Sequence, residues 1–275
     1  MNGLIVMRGG GDLASGAAFR LHRAGLRVIV LELDAPLLVR RVVCYGDAVF
    51  DGVRSVDGVT ARRIDHIDRA ETVLDADEIP VWVDAAGESV RTLRPLVVVD
   101  ARMEKRPLDS TIHDAPLVIA LGPGYTAGIH AHAVIETNRG HHLGRVYWQG
   151  SAEPDTGEPG SMAGKTHSRV LRAPAPGHVT AHVSIGDTIH VGQIIADVGG
   201  IPLIAPFDGV LRGLVHPAVA VQPGMKIGDL DPRSERDHCF TISDKALAVG
   251  GGVLEAVLTE PHIRSQLYGG AHERG

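Results

Sequence analysis

The residues best placed to do chemistry lie in a glycine-rich loop near the start of the chain. Gly9, Gly11 and Ala14 fit the spacing G-x-G-x-x-G/A, with Gly10 between the first two, and the pattern follows an apolar run and precedes a helical one. In that context glycine lets the main chain approach a diphosphate, while the helix behind it offers free amides and its positive dipole end. Glu32, 21 residues after Gly11, stands where a carboxylate would accept a ribose hydroxyl. Asp12 sits beside the phosphate position and would repel it, so a ligand-free tight turn stands against the nucleotide reading.

Two further segments follow apolar strands and point to the same crevice, since ligands of open α/β sheets bind at strand carboxyl ends. Asp100–Arg106 carries Arg102, Lys105 and Arg106, cations suited to phosphate or another oxyanion. Gly122–Gly128 holds Gly122, Gly124 and Thr126, whose amides and hydroxyl could cradle an anion. Arg139 and His141 follow shortly after. Each is weak alone, because a charge run is usually a solvated face; converging on one sheet edge, they argue for a ligand site. Cys44, in RVVCYGDAV, reads first as a buried inert thiol. The alternative, a catalytic thiolate handling a chalcogen, needs Arg40 or Arg41 beside it. The 15 histidines are scattered, and the pairs His130/His132 and His141/His142 lack zinc-ligand spacing, so no metal site is expected.

These groups need elements to hold them. Residues 3–8 read as a buried strand, Gly9–Gly11 as the turn, and Asp12 as the cap of a helix carrying Leu13, Ala14, Ala17, Ala18 and Leu21 at helical spacing up to Gly25. Strands are expected at 27–32, 79–84, 96–100 and 116–121. Continuous apolar strands separated by helical or loop segments argue for a Rossmann-like parallel sheet covered on both faces. Ser243 would cap a helix running to about Leu258. Gly250, Gly251 and Gly252 within it weaken the helix, and make sense where another backbone packs closely.

An internal repeat, offset by 32 positions, spans 171–229. Leu171/Leu203, Ala173/Ala205, Pro174/Pro206, Gly177/Gly209, Val183/Val215, Gly192/Gly224, Ile195/Ile227 and Asp197/Asp229 recur in register. A unit this short cannot bury its own apolar face, so the two copies must pack together. Their pattern resembles the biotinyl/lipoyl-type barrel-sandwich hybrid. The hairpin that would carry a modified lysine reads Ala196–Ile201 without one, and Lys226 lies at the wrong place. No biotin or lipoyl attachment is expected, and a docking module is the better reading. The expected domains are 1–150, Rossmann-like and cofactor-binding; 151–165, a Gly/Pro/Ser-rich linker; 166–232, the barrel-sandwich hybrid; and 233–275, a C-terminal helix docking back on the first.

Composition narrows the classes. The 275 residues are 44% hydrophobic and 4% aromatic, with 34 glycines and 16 prolines, as for a folded chain with many turns. A formal charge of −6 gives no case for nucleic acid. Two cysteines make no disulfide framework, no signal peptide is seen, and no run reaches the roughly 20 apolar residues of a membrane span. The expectation is a soluble cytoplasmic protein, with homo-oligomerisation left open.

Taken together, RGGGDLASG (8–16), DARMEKR (100–106), ALGPGYTAG (120–128), VIETNRGHHLGRV (134–146), RVLRAPAPG (169–177), IGDLDPR (227–233) and ISDKALAVGGGVLEAVL (242–258) resemble the YqeB family of selenium-dependent molybdenum hydroxylase maturation proteins. The first half is also similar in kind to XdhC, a Rossmann-bearing handler of molybdenum cofactor. The resemblance implies an accessory role for enzymes such as xanthine dehydrogenase, with hydroxylase subunits as partners and no reaction assigned. Molybdopterin cytosine dinucleotide, with its pyrophosphate, would match the crevice. Gly9, Gly10 and Gly11 would carry the pyrophosphate, Glu32 the ribose, and Arg102, Lys105 and Arg106 the remaining anionic groups. The 122–128 loop with Arg139 and His141 would close the other side, and Cys44 would be a selenium relay. The alternatives are an NAD(P)-dependent oxidoreductase, with His130 or His141 as proton donor, and a non-catalytic scaffold.

Overall fold

The computed structural model describes residues 3–155 and 169–268. β1 (Leu4–Arg8) is apolar but for Arg8 and buried throughout, as a strand covered on both faces must be. α1 (Asp12–Arg23) buries Ala14, Ala17, Ala18 and Leu21, then turns at Gly25 into β2 (Arg27–Glu32). Its cap is Gly11, with no side-chain hydrogen bond. Asp12, expected at that position, instead ion-pairs with Arg40 at 2.7 Å. The chain continues through α2 (Ala48–Asp51), β3 (Val53–Val56), β4 (Val59–Ile64), α3 (Ala70–Asp75), β5 (Ile79–Val83), α4 (Ser89–Leu93), β6 (Val97–Asp100) and β7 (Leu117–Leu121). Four short strands follow: β8 (Thr126–Ala127), β9 (Ala133–Ile135), β10 (Val146–Tyr147) and β11 (Gly150–Ser151).

The expected pairing of a Rossmann-like parallel sheet with a separate barrel-sandwich hybrid does not hold. Among the described residues the main sheet is mixed, nine strands in the order β10-β9-β7-β6-β1-β2-β5-β4-β3. Neighbours from β9 to β4 pair parallel, but β10 and β3 close the edges antiparallel. The reversal at β3–β4 is local: Asp57 and Gly58 both take positive φ, +49° and +79°, giving the two-residue turn that folds a strand back on itself.

The repeat forms two antiparallel sheets rather than a free-standing unit. Its strands are β12 (Val170–Arg172), β13 (Val179–Ala181), β14 (Thr188–Ile189), β15 (Ile194–Val198), β16 (Ile201–Ile204), β17 (Gly209–Leu214) and β18 (Lys226–Asp231). The copies interleave: the first strand of each pairs with the last of the other, β12 with β18 and β16 with β15. Each copy thereby covers apolar surface the other cannot. The module also takes Val39 and Phe50 from the first half of the chain into contact with its core. Gly213 permits this approach, since a Cβ there would stand 2.6 Å from the Val39 carbonyl oxygen.

α5 (Asp244–Thr259) begins at Ser243, whose hydroxyl accepts from the Ala246 amide, and is followed by α6 (Pro261–Tyr268). α5 lies against α1 at glycine-mediated contacts. A Cβ on Gly250 would come within 2.8 Å of the Gly16 carbonyl carbon, and one on Gly16 within 2.7 Å of the Ala246 Cβ. Gly252 packs against the Gly144 main chain and Ile135. These contacts bring the first turns of α1 and α5 to the same edge of the sheet. Of the expected linker, residues 156–165 lie outside the described residues.

Candidate functional site

The parallel strands end on one edge, and a cleft opens there against the antiparallel module. One half has a volume of about 580 Å³ and is lined by the ends of β1, β2, β5 and β6 and by Leu13, Leu37, Leu38, Met103 and Leu108. The adjoining half, about 360 Å³, is walled by Pro123, Thr137, Asn138, Arg139, Arg169, Arg212, Lys226, Asp229, Ser243 and Lys245, among others. The two share Asp12, Arg40, Met103 and Lys226. The result is one apolar chamber opening into one basic chamber at the first turn of α1.

Each of the seven segments that carry the family resemblance contributes at least one wall residue: Gly9, Arg102, Pro123, Arg139, Arg169, Asp229 and Lys245 stand for them in turn. A larger groove of about 1300 Å³ lies elsewhere, between α4 and the 109–116 segment, and draws only Arg8 from those segments. Arg8 there is already held by Asp109, Ser110 and the Ala86 carbonyl.

The glycine loop is placed at the cleft, but its hydrogen bonds point inward. Gly9 (φ +97°) donates to the Leu31 carbonyl, and Gly10 donates to Glu32 Oε2 at 2.7 Å. Gly10 also abuts Gly46, where a Cβ would stand 2.6 Å from the Gly46 Cα. Glu32 is therefore not a free ribose acceptor. Its second oxygen accepts the Leu33 amide at 2.8 Å, and the carboxyl is buried. Burial raises its pKa, and the two amides only partly offset this. Its role is to fix the turn between β1 and α1. Of the loop, Gly9 and Gly11 face the cleft.

The expected cations divide. Arg102 is committed to Asp100, through Nε at 3.1 Å and the amino group at 2.5 Å, and to Asp109 at 2.6 Å. Tyr125 also donates to Asp100 at 2.9 Å, so this buried carboxylate is fully engaged. Lys105 reaches Asp155 at 2.7 Å, and Gly124 (φ +97°) supports the 105–106 main chain. Arg139 forms two 2.9 Å hydrogen bonds to Asp244, which hold that carboxyl well below its usual range. Gly122 donates to the Ile135 carbonyl and leaves its α-face to the Thr137 hydroxyl. Arg106 and His141 are exposed and do not line the cleft. Thr126 faces away, pairing with Ser151 at 2.9 Å. His130 and His132 use Nδ1 to accept the Thr126 and Val118 amides, a structural task.

Cys44 is 1% exposed, and its thiol donates to the Arg40 carbonyl at 3.3 Å. Burial, reinforced by Asp12, pushes its pKa well up against the weaker pull of Arg40. Cys44 borders the apolar chamber, and these surroundings favour its thiol over the thiolate a selenium relay would need.

Sequence reasoning missed the cations that matter most here. Arg212 and Arg169 come from the repeat module, and Lys226 and Lys245 from the first residue of β18 and the first turn of α5. Among the described residues Lys226 and Lys245 have no hydrogen-bond or ion-pair partner. Burial and the nearby Arg139 hold the Lys245 amine below its ordinary pKa, and burial with Arg40 lowers that of Arg212. One signal was present: Arg212 interrupts the apolar run GVLRGLV, where a buried charge needs a reason.

No protein-family model matches the chain. It is 48% identical over 259 residues to the uncharacterized protein YqeB of Escherichia coli (strain K12), across 94% of this chain and 48% of that protein. The chain is therefore a relative of YqeB over nearly its whole length and spans about half the length of the curated relative it matches. Among solved structures, an aspartoacylase family protein from Mesorhizobium loti is 11% identical over 82% of this chain and 84% of its own, at a TM-score of 0.26. A succinylglutamate desuccinylase from Silicibacter sp. is 12% identical over 83% and 84%, at 0.25. Overlays of that quality carry no argument about this site. Among the described residues no helix is long and apolar enough to cross a membrane.

Proposed function

We propose that this relative of YqeB is an accessory protein in the maturation of selenium-dependent molybdenum hydroxylases, and that its cleft holds molybdopterin cytosine dinucleotide as cargo. The observation that carries the reading is the make-up of the cleft, an apolar chamber joined to a basic one. Such a cargo has the matching parts: a flat heterocyclic body, a diphosphate and a second, smaller nucleoside. Small-molecule sites are mostly apolar with a few convergent polar groups, and this one adds cations that have no partner of their own. The fit is supported by Arg40, which lines both chambers and whose Nε is buried without a hydrogen-bond partner among the described residues. That the seven family-like segments all reach the cleft supports a shared task located there.

The NAD(P) oxidoreductase alternative has less support. Its ribose acceptor, Glu32, is held by main-chain amides, and neither His130 nor His141 lines the cleft.

The test is co-expression of a selenium-dependent molybdenum hydroxylase with and without this chain in selenite- and molybdate-fed cells lacking the endogenous copy. The reading predicts that hydroxylase purified without the chain is low in molybdenum or selenium and poorly active, and that the wild-type chain restores both. Leu37→Asp, which places a charge in the apolar chamber, should restore little. Full metal and selenium loading without the chain would remove the proposal.

A further inference from the structure

We infer that the basic chamber is a diphosphate subsite built jointly by α1, α5 and the repeat module, with Lys226 and Lys245 as its principal free cations. The inference rests on the cargo reading above only for the identity of what the diphosphate belongs to. It moves the anion from the glycine loop, where the sequence pattern puts it, to the far side of the α1 amino terminus. It also makes the repeat module part of the binding site.

The loop itself is ill placed to hold the anion. Of its amides, Gly9 donates to Leu31 and Gly10 to Glu32, and Gly46 fills the space over Gly10. Just beyond it stand two lysines without a hydrogen-bond or ion-pair partner among the described residues. Lys245 stands in the first turn of α5, next to the positive end of the helix dipole, where a carboxylate is favoured and a cation disfavoured. Its neighbour Asp244 makes its hydrogen bonds to Arg139, at 2.9 Å, rather than to Lys245. Lys226 borders the same chamber from β18, also without a partner. Arg40 joins the two chambers, 8% exposed, with its amino groups on Asp12 and the His238 carbonyl and its Nε unpartnered. Arg40, Arg139, Arg169 and Arg212 have carboxylate partners. Lys226 and Lys245 border the same chamber with no ion pair of their own among the described residues and feel Asp12, Asp229 and Glu136 only at a distance, which leaves room for an anion from outside.

Size and position specify the class. The basic chamber of about 360 Å³ opens at Asp12, Arg40, Met103 and Lys226 into the apolar chamber of about 580 Å³. A diphosphate at that junction would carry a flat body on one side and a polar nucleoside on the other. A free nucleoside diphosphate and a pterin dinucleotide share this chemistry, and the test separates them.

Calorimetric titration of the full chain with inorganic pyrophosphate, orthophosphate and CDP reads the subsite directly. Pyrophosphate and CDP should bind at least tenfold more tightly than orthophosphate, and weaken as salt rises. Lys226→Gln with Lys245→Gln should weaken pyrophosphate at least tenfold, while Lys226→Arg with Lys245→Arg largely retains it. Because neither lysine side chain has a hydrogen-bond or ion-pair partner among the described residues, the glutamine variant should melt no lower than the wild type, which a merely structural role would not give. Equal affinity for pyrophosphate and orthophosphate, or pyrophosphate binding indifferent to both lysines, would overturn the subsite. Lysine-dependent pyrophosphate binding on a protein that never carries a pterin dinucleotide would keep the subsite and remove the cargo reading, pointing to a free nucleoside diphosphate. A pterin dinucleotide held equally well by the glutamine variant would do the reverse.

Discussion

Three consecutive glycines in α5 should respond to alanine in opposite directions. Gly251 has nothing within 4 Å of where a Cβ would go. Gly251→Ala should therefore gain only the helix-propensity difference, about 1 kcal/mol. Gly250 faces main chain: its Cβ would stand 2.8 Å from the Gly16 carbonyl carbon and 3.0 Å from the Ala17 Cα, and closer still to the Gly16 oxygen. Ordinary contact begins near 3.4 Å, so α1 and α5 must separate by more than half an ångström, and no side chain can rotate out of the way. Overpacking of this kind costs about 1–3 kcal/mol. At the upper end of that range it exceeds the propensity gain, for a net loss of about 2 kcal/mol. Gly252 behaves similarly, with the Gly144 carbonyl oxygen nearest and Ile135 at 2.9 Å. At about 2–4 °C per kcal/mol for a chain of this size, Gly251→Ala should melt about 2–4 °C higher. Gly250→Ala and Gly252→Ala should melt about 4–8 °C lower. Differential scanning calorimetry decides it. If all three variants shift in the same direction, the packing of α5 on α1 is not as described.

Other predictions test the groups around the cleft. Arg102→Ala leaves the buried Asp100 without its main partner and should cost about 3 kcal/mol in chemical denaturation; a loss near zero would contradict the pairing. Burial alone would raise the Asp109 carboxyl, but hydrogen bonds from Arg8 and Arg102 bring it down to about 2. Its stabilising effect is thus full above the unfolded carboxylate range, near about 4, and lost as pH falls through about 2. Asp109→Asn should lower the melting temperature at pH 7, with the gap to the wild type narrowing steadily as pH falls from about 4 toward about 2, whereas a pH-independent gap would refute the linkage. Cys44 and Cys239 are both buried, so iodoacetamide should leave the native protein at its unmodified mass and label both sites once guanidinium unfolds it. Rapid native labelling of Cys44 would reopen its role as a relay.

How far the sequence could be read depended on whether a feature was local. The run LIVMR, the turn at Gly25 and the Ser243 cap state their own conformation, and β1, α1 and α5 form where those signals lie. The glycine triplet told of a close backbone, though not which one; Gly16 and Gly144 are more than a hundred residues distant. The Asp57-Gly58 pair was equally local, and its positive φ values turn an otherwise parallel sheet into a mixed one. Apolar runs argue for buried parallel strands but encode neither strand order nor the antiparallel edges, which is why the sheet is mixed where a parallel one was expected.

At the site, spacing placed Gly9, Gly11, Arg102 and Arg139 along one cleft but not the direction of their hydrogen bonds. Glu32 lies at the end of β2 as expected, yet Gly46 seals the space over Gly10, and the carboxylate faces inward. Lys226 and Lys245 are 19 residues apart on different elements, and only the packing of α5 and β18 about the cleft makes them neighbours of one chamber.

The most direct test of the central claim is the content of the protein itself, purified without oxygen from selenite- and molybdate-fed cells. Elemental mass spectrometry gives molybdenum and selenium per chain, and mass analysis of the released small molecules identifies any nucleotide. The account predicts a pterin dinucleotide with molybdenum approaching one per chain, and loss of both in the Lys226→Gln, Lys245→Gln variant. A protein carrying NAD(P) instead, or no pterin even when the target hydroxylase is withheld, would contradict it.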